Sequence, residues 1–255
     1  MGRREMERRE SGGRVRAMST VPGTQDSRQL TELHDYRVEY TLLSEAGALP
    51  RWKQQAQYAL GRALCDYYSL SPQVRMETPI QFVLERVWPP NSRAFPSLLD
   101  YWDVKTKLAD ELTRFACAED PADYPVMRYE QWSVPVPQLS IDLSLIVQLG
   151  WQAPGEGKGL ILQKFMVQGD DEVIKAFIHM ANVFCRMAYG VPPERIEVHS
   201  LLDGMKHVAT GAKLPLENSL DYVRLLAAYM QEEQPEPQPA CSAGGAEDTT
   251  RSLLC

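Results

Sequence analysis

The sequence predicts an α/β fold: a mixed central sheet flanked by helices, preceded by a helical N-terminal portion. Three observations predict it. Apolar residues recur at helical spacing through most of the first half of the chain. They then alternate, or run unbroken, in three short segments between Met127 and Val167. Helical spacing returns at Asp170–Tyr189 and near the C-terminus, with a hairpin pattern between. Helices, strands, a helix, a hairpin and a closing helix in that order make layers around one sheet, in one domain rather than two.

In chain order, residues 1–28 are polar and carry Arg3, Arg4 and Arg8 diluted by Glu5, Glu7 and Glu10. This reads as a disordered basic tail, or as an over-long start ahead of Met18. The folded part is expected to span residues 29–231, with 29–119 helical and 124–231 forming the sheet core. Leu30–Ala46 is expected to be one helix, stopped by Leu49-Pro50. Arg51–Leu70 repeats Trp52, Ala56, Ala59, Ala63 and Tyr67 along one stripe. Thr78-Pro79 pairs a capping residue with the one best tolerated in a first turn, opening a helix that runs to about Trp88. Pro96-Ser97 opens another, in which Tyr101, Val104, Leu108, Leu112 and Phe115 share a face to about Ala118.

Met127–Val136 reads as a strand closed by Pro135 and Pro137. In Leu139–Leu149 the odd positions are all apolar, whereas Ser140, Asp142, Ser144 and Gln148 lie on the other face with Ile146. Leu160–Val167 is apolar on both faces apart from Gln163 and Lys164, as an inner strand should be. Gly190 and Pro192-Pro193 stop the helix Asp170–Tyr189. Asp203-Gly204, between Arg195–Leu202 and Met205–Thr210, predicts a two-residue hairpin turn. Leu216, Leu220, Val223, Ala227 and Met230 mark the last helix. Residues 232–255 are too rich in Glu, Pro, Gln and Ser to bury a core, and read as a tail.

Composition narrows the function. At 255 residues, 44% hydrophobic and 24% charged, the chain is long enough for one sizeable core. It has no apolar run of membrane-spanning length and no signal-peptide segment, so no membrane partner is expected. A formal net charge of −7 argues against a nucleic-acid footprint over the whole surface but leaves room for a local basic channel. Cys65, Cys117, Cys185, Cys241 and Cys255 lack metal-knuckle spacing; reduced thiols in a cytoplasmic protein are expected. Glycine-rich phosphate loops, Gly-x-Ser-x-Gly elbows and zinc-protease motifs are absent. His199 and His207, on opposite strands of the predicted hairpin, are expected to face one another. Trp88, Trp102, Trp132 and Trp151 are base-stacking candidates only where exposed.

The ordered set Gly61-Arg62-Ala63-Leu64-Cys65, Leu139-Ser140-Ile141-Asp142, Leu162-Gln163-Lys164, the helix Asp170–Tyr189 and the hairpin at Asp203-Gly204 resembles the PD-(D/E)xK nuclease superfamily, in its RecB-type branch. The resemblance implies a restriction-endonuclease-like three-layer sandwich and a site for Mg²⁺ or Mn²⁺. In that chemistry two carboxylates on adjacent strands hold the cation. A lysine two residues past the second acid orients the nucleophile or offsets charge in the transition state. Asp142 and Lys164 stand at matching positions. Leu162 replaces the second acid and Cys65 the branch's histidine, and neither suits magnesium. Glu130, Asp171 and Glu172 are candidate replacement acids.

The resemblance and its gaps together imply a degenerate nuclease-like domain, associated with DNA or serving as a scaffold beside a nuclease or helicase subunit in DNA processing or repair. An active DNA nuclease with a migrated carboxylate is the first alternative, and a protein–protein adaptor without nucleic-acid binding the second.

Overall fold

The computed structural model describes residues 31–45, 49–118, 123–153 and 159–232. The tails expected at 1–28 and 232–255 and most of the 152–159 connection lie outside the described residues, except Glu232, which is the last residue of the closing helix. Six strands, β1 (Thr31–His34), β2 (Met127–Val136), β3 (Ile141–Gln152), β4 (Leu160–Met166), β5 (Arg195–Ser200) and β6 (Met205–Ala209), form one mixed sheet. Seven helices flank it: α1 (Asp35–Glu45), α2 (Arg51–Ser69), α3 (Pro72–Glu77), α4 (Ile80–Val87), α5 (Leu98–Ala118), α6 (Asp171–Tyr189) and α7 (Leu216–Glu232). Two apolar cores result. One lies under α1, α6 and α7, and the other under α2, α4 and α5. Among the described residues no helix is long and apolar enough to cross a membrane.

The local signals act where expected. Ser97 Oγ accepts the Asp100 N–H at 3.0 Å and starts α5. Asp170 caps α6 through the N–H groups of Glu172 and Val173, and Gly190 ends it at φ 74°, a conformation that costs a residue with Cβ.

Other signals act differently. Residues 30–46 are not a single helix: Thr31–His34 is a strand parallel to β3, so the N-terminal portion contributes to the sheet. Thr78 ends α3, a helix missed in the sequence and capped by Ser71 with Pro72 in its first turn; α4 starts only after Pro79. The β5–β6 connection is four residues, because the ladder closes at Ser200↔Met205. Val198 pairs with His207 and His199 with Lys206, so the two histidines occupy opposite faces rather than meeting.

The largest departure lies in β3. Ile141, Leu143, Leu145 and Val147 face the α6 core as the alternation predicts, but Leu149 and Trp151 join the opposite core. The reversal falls at Gln148, across from Tyr129, which sits at φ 52°, a left-handed conformation uncommon for a bulky residue. β3 then pairs with β4 only over Leu149↔Gln163 to Gln152↔Leu160, and with β1 only over Ile141–Ser144. A fork opens between these two ladders, and the candidate site lies in it.

Candidate functional site

A fork in a sheet leaves backbone N–H and C=O groups without a neighbouring strand, and buried groups of that kind must find partners. Here side chains supply them. Gln148 Oε1 accepts the Phe165 N–H. Gln57 of α2 donates to Phe165 O at 2.8 Å and accepts from Val167 N at 2.8 Å, as a facing strand would. Asp35, the first residue of α1, accepts the Ile146 N–H at 3.1 Å. Three polar side chains thus stand in for the missing ladder.

Lys164 reaches this plug from β4. Its neighbours on the same strand face, Leu162 and Met166, belong to the α6 core, and its ammonium lies 4.8 Å from the centre of the Phe177 ring. Nζ is 2.8 Å from Glu39 Oε2 and 3.4 Å from Asp35 Oδ2. Lys164 and Asp35 are each only 4% exposed. Burial by itself would depress the lysine's pKa, but the charges of Glu39 and Asp35 outweigh it and hold the ammonium well above its ordinary value. Burial pushes the Asp35 carboxyl up, with Lys164 and the Ile146 N–H opposing.

Above the plug lies a cleft of about 540 Å³ between α1 and α2. Tyr36, Glu39, Tyr40 and Leu43 are spaced to share one face of α1; Gln54, Gln57, Tyr58, Gly61, Arg62 and Cys65 do the same on α2. Tyr129 of β2 closes one side, and burial raises its pKa. Gly61 makes this closure possible, since a Cβ there would sit 2.1 Å from the Tyr129 hydroxyl oxygen.

The residues singled out in the sequence divide. Lys164 and Cys65 line the cleft; Asp142 does not. Asp142 is registered between Glu32 of β1 and Pro135 of β2, on the face turned away from the α6 core, whereas Lys164 faces that core. Leu162, 1% exposed, is packed in it. Glu130 is exposed on β2 and accepts from Trp132 Nε1 at 3.2 Å. Asp171 and Glu172 are exposed in the first turn of α6, where Glu172 pairs with Lys175 at 2.7 Å. Trp88 and Trp151 are buried; Trp102 and Trp132 are exposed.

The acids beside Lys164 are therefore Asp35 and Glu39, neither of which was singled out. Their i, i+4 spacing puts both on one face of a helix, but such a pair of acids is ordinary on a helix surface and does not point to Lys164. As a seat for Mg²⁺ or Mn²⁺ the donors fit poorly. Each carboxylate is engaged by Lys164, and the Gln148 oxygen holds the Phe165 N–H. Among the described residues no three His, Cys, Asp or Glu side chains are grouped to hold a metal ion.

What the fold defines is an α/β protein with a mixed six-stranded sheet flanked by helices and a cleft at its fork. No protein-family model matches the chain, and no curated protein or solved structure matches it.

Proposed function

We propose that this chain is a PD-(D/E)xK-like domain, with the restriction-endonuclease-like form of the sandwich, that performs no hydrolysis and works as a scaffold or DNA-associated subunit. The order β2-β3-β4-α6-β5-β6 and the lysine at the parting of β3 and β4 support the kinship. The separation of Asp142 from Lys164 weighs against Asp142 as the first acid of such a site; Ile146 and Gln148 are the β3 residues that line the same cleft as Lys164, and of these Gln148 is the polar one. An amide there and a leucine at 162 supply no negative charge for a hard cation.

One observation carries the loss of catalysis: the lysine that would serve phosphodiester chemistry is buried and held between Asp35 and Glu39. An ammonium so engaged has little left for a phosphate or an attacking water.

The test is incubation of the purified protein with single- and double-stranded DNA in Mg²⁺ or Mn²⁺, beside Lys164→Ala and Glu39→Gln. No cleavage is expected. Cleavage that either substitution abolishes would overturn the proposal and make Asp35 and Glu39 the migrated carboxylates of an active nuclease. A salt titration of DNA binding separates the two roles. Affinity that falls steeply with salt marks a DNA-associated subunit, and no binding at low salt marks a scaffold.

A further inference from the structure

The cleft can be read by asking which of its polar groups are already engaged. Of its cations, Lys164 lies between Asp35 and Glu39, while Arg62, with a side chain 57% exposed, is paired through Nε to Asp66 at 3.0 Å. Each of its amides is engaged through at least one atom. Gln54 donates to Leu49 O at 2.8 Å, Gln57 holds the Phe165–Val167 backbone, and Gln148 holds the Phe165 N–H. Two kinds of group remain. One is aromatic: Tyr40 and Tyr58, 63% and 72% exposed, face the cleft from α1 and α2, with Tyr36 beside them. The other is the second oxygen of Glu39, whose side chain is 21% exposed while its first oxygen holds Lys164. Asp35 and Glu39 together carry one more formal charge than Lys164 neutralises.

An anion entering here would have to compete with a carboxylate for either cation, and would meet the negative charge that Asp35 and Glu39 carry in excess of Lys164. A neutral apolar molecule would cover the tyrosine faces but leave Glu39 without a donor. A cation on an apolar body satisfies both, because the electron-rich faces of tyrosine attract it and the carboxylate accepts its N–H. The volume is that of a small-molecule site rather than a macromolecular groove. We infer that the cleft binds a small amphipathic organic cation, an alkyl- or arylammonium, with its charge at Glu39 and its apolar body against Tyr40 and Tyr58. The inference rests on the reading that this cleft binds rather than cleaves, and it names the class of ligand.

The test is a titration of the full chain, followed by NMR or calorimetry, with four probes. They are phenethylammonium, its neutral counterpart 2-phenylethanol, the anionic 3-phenylpropionate, and inorganic phosphate. The ammonium is expected to saturate the cleft and to bind about tenfold more tightly than the alcohol, with no displacement by phosphate. Glu39→Gln should remove that preference. Because this change also touches Lys164, Tyr40→Leu and Tyr58→Leu serve as variants at exposed positions. Each should weaken the ammonium about threefold and the alcohol, which has only the apolar contact to lose, by less.

Equal binding of the alcohol or the carboxylate would overturn the inference. So would displacement by phosphate, indifference to both tyrosine substitutions, or no saturation by the ammonium at about 10 mM. DNA cleavage is read separately. A chain that cuts DNA and binds the ammonium refutes the non-catalytic reading alone, and one that does neither refutes this inference alone.

Discussion

Replacing Lys164 by methionine tests whether the plug in the fork is structural. Methionine keeps most of the aliphatic stem and its contact with Phe177 but removes the charge, leaving Asp35 and Glu39 close together with nothing to offset them. Removing one partner of a buried ion pair costs about 3–5 kcal/mol, chiefly because the remaining charge is left without compensation. The lower end applies here. Burial already raises the Asp35 pKa, so without the lysine that carboxyl can take a proton instead of staying ionised. A loss of about 3 kcal/mol is therefore expected at neutral pH, shrinking under acid as the Asp35 carboxyl takes up its proton.

Urea unfolding at both pH values reads this as a lower midpoint at unchanged slope. Combining Lys164→Met with Asp35→Asn and Glu39→Gln leaves no charge in the fork, while the amide oxygen introduced at position 35 can still accept the Ile146 N–H. This triple variant should recover most of the loss. A Lys164→Met protein within about 0.5 kcal/mol of the parent would refute the reasoning, as would a triple variant less stable than the single one.

Three further outcomes are expected. Burial alone would raise the Glu197 pKa, but hydrogen bonds from His199, Gln163 and Lys206 outweigh it and hold the carboxyl at about 2. Its stabilisation is present above pH 4.5 and lost as the pH falls toward 2. It is worth roughly 3 kcal/mol, so Glu197→Gln should flatten the acid limb of a stability-versus-pH curve. Gly61→Ala places a methyl 2.1 Å from the Tyr129 hydroxyl oxygen and 2.7 Å from its ring; thermal unfolding should show a loss of about 1–3 kcal/mol, part of which Tyr129→Phe restores. Leu162→Asp supplies in sequence the second acid that the PD-(D/E)xK pattern calls for but puts a carboxylate among the apolar residues under α6. It should cost several kcal/mol in urea unfolding and confer no DNA cleavage in Mg²⁺.

How much of this was legible depends on how local the cause is. Stripes, caps and prolines act within a few residues, so α2, α5, α6, α7 and the strands from β2 to β6 were readable to within a few positions. Thr31–His34 was not, because four residues carry too little periodicity to separate a strand from the helix after it; only pairing with β3 makes them one. The reversal of β3 at Gln148 was equally hidden. It arises from Tyr129, nineteen residues earlier and on another strand, whose ring packs against Gly61 in a helix further back still. Lys164 could be singled out because a lysine in a buried strand is anomalous wherever the strand lies. Its partners Asp35 and Glu39 could not, because the lysine they hold lies more than 120 residues further along the chain.

The same anomaly occurs twice on β4, and the comparison separates structure from site. All seven residues of β4 are buried, so both of its polar members must be satisfied inside the protein. Gln163 accepts from Trp151 Nε1 at 2.6 Å and donates to Glu197 at 2.9 Å. Glu197, 1% exposed, is in turn enclosed by Arg195 at 2.5 Å and Lys206 at 3.0 Å. That network closes on the protein's own side chains. Lys164, one residue on and pointing to the opposite face, is closed only halfway. Asp35 seals it from below, whereas Glu39 reaches it from the wall of the cleft, with an oxygen to spare. A buried charge satisfied by a partly exposed partner responds to whatever enters beside that partner. This is the physical ground for taking the fork under α1, rather than the more heavily charged cluster around Glu197, as the place where the protein meets a ligand.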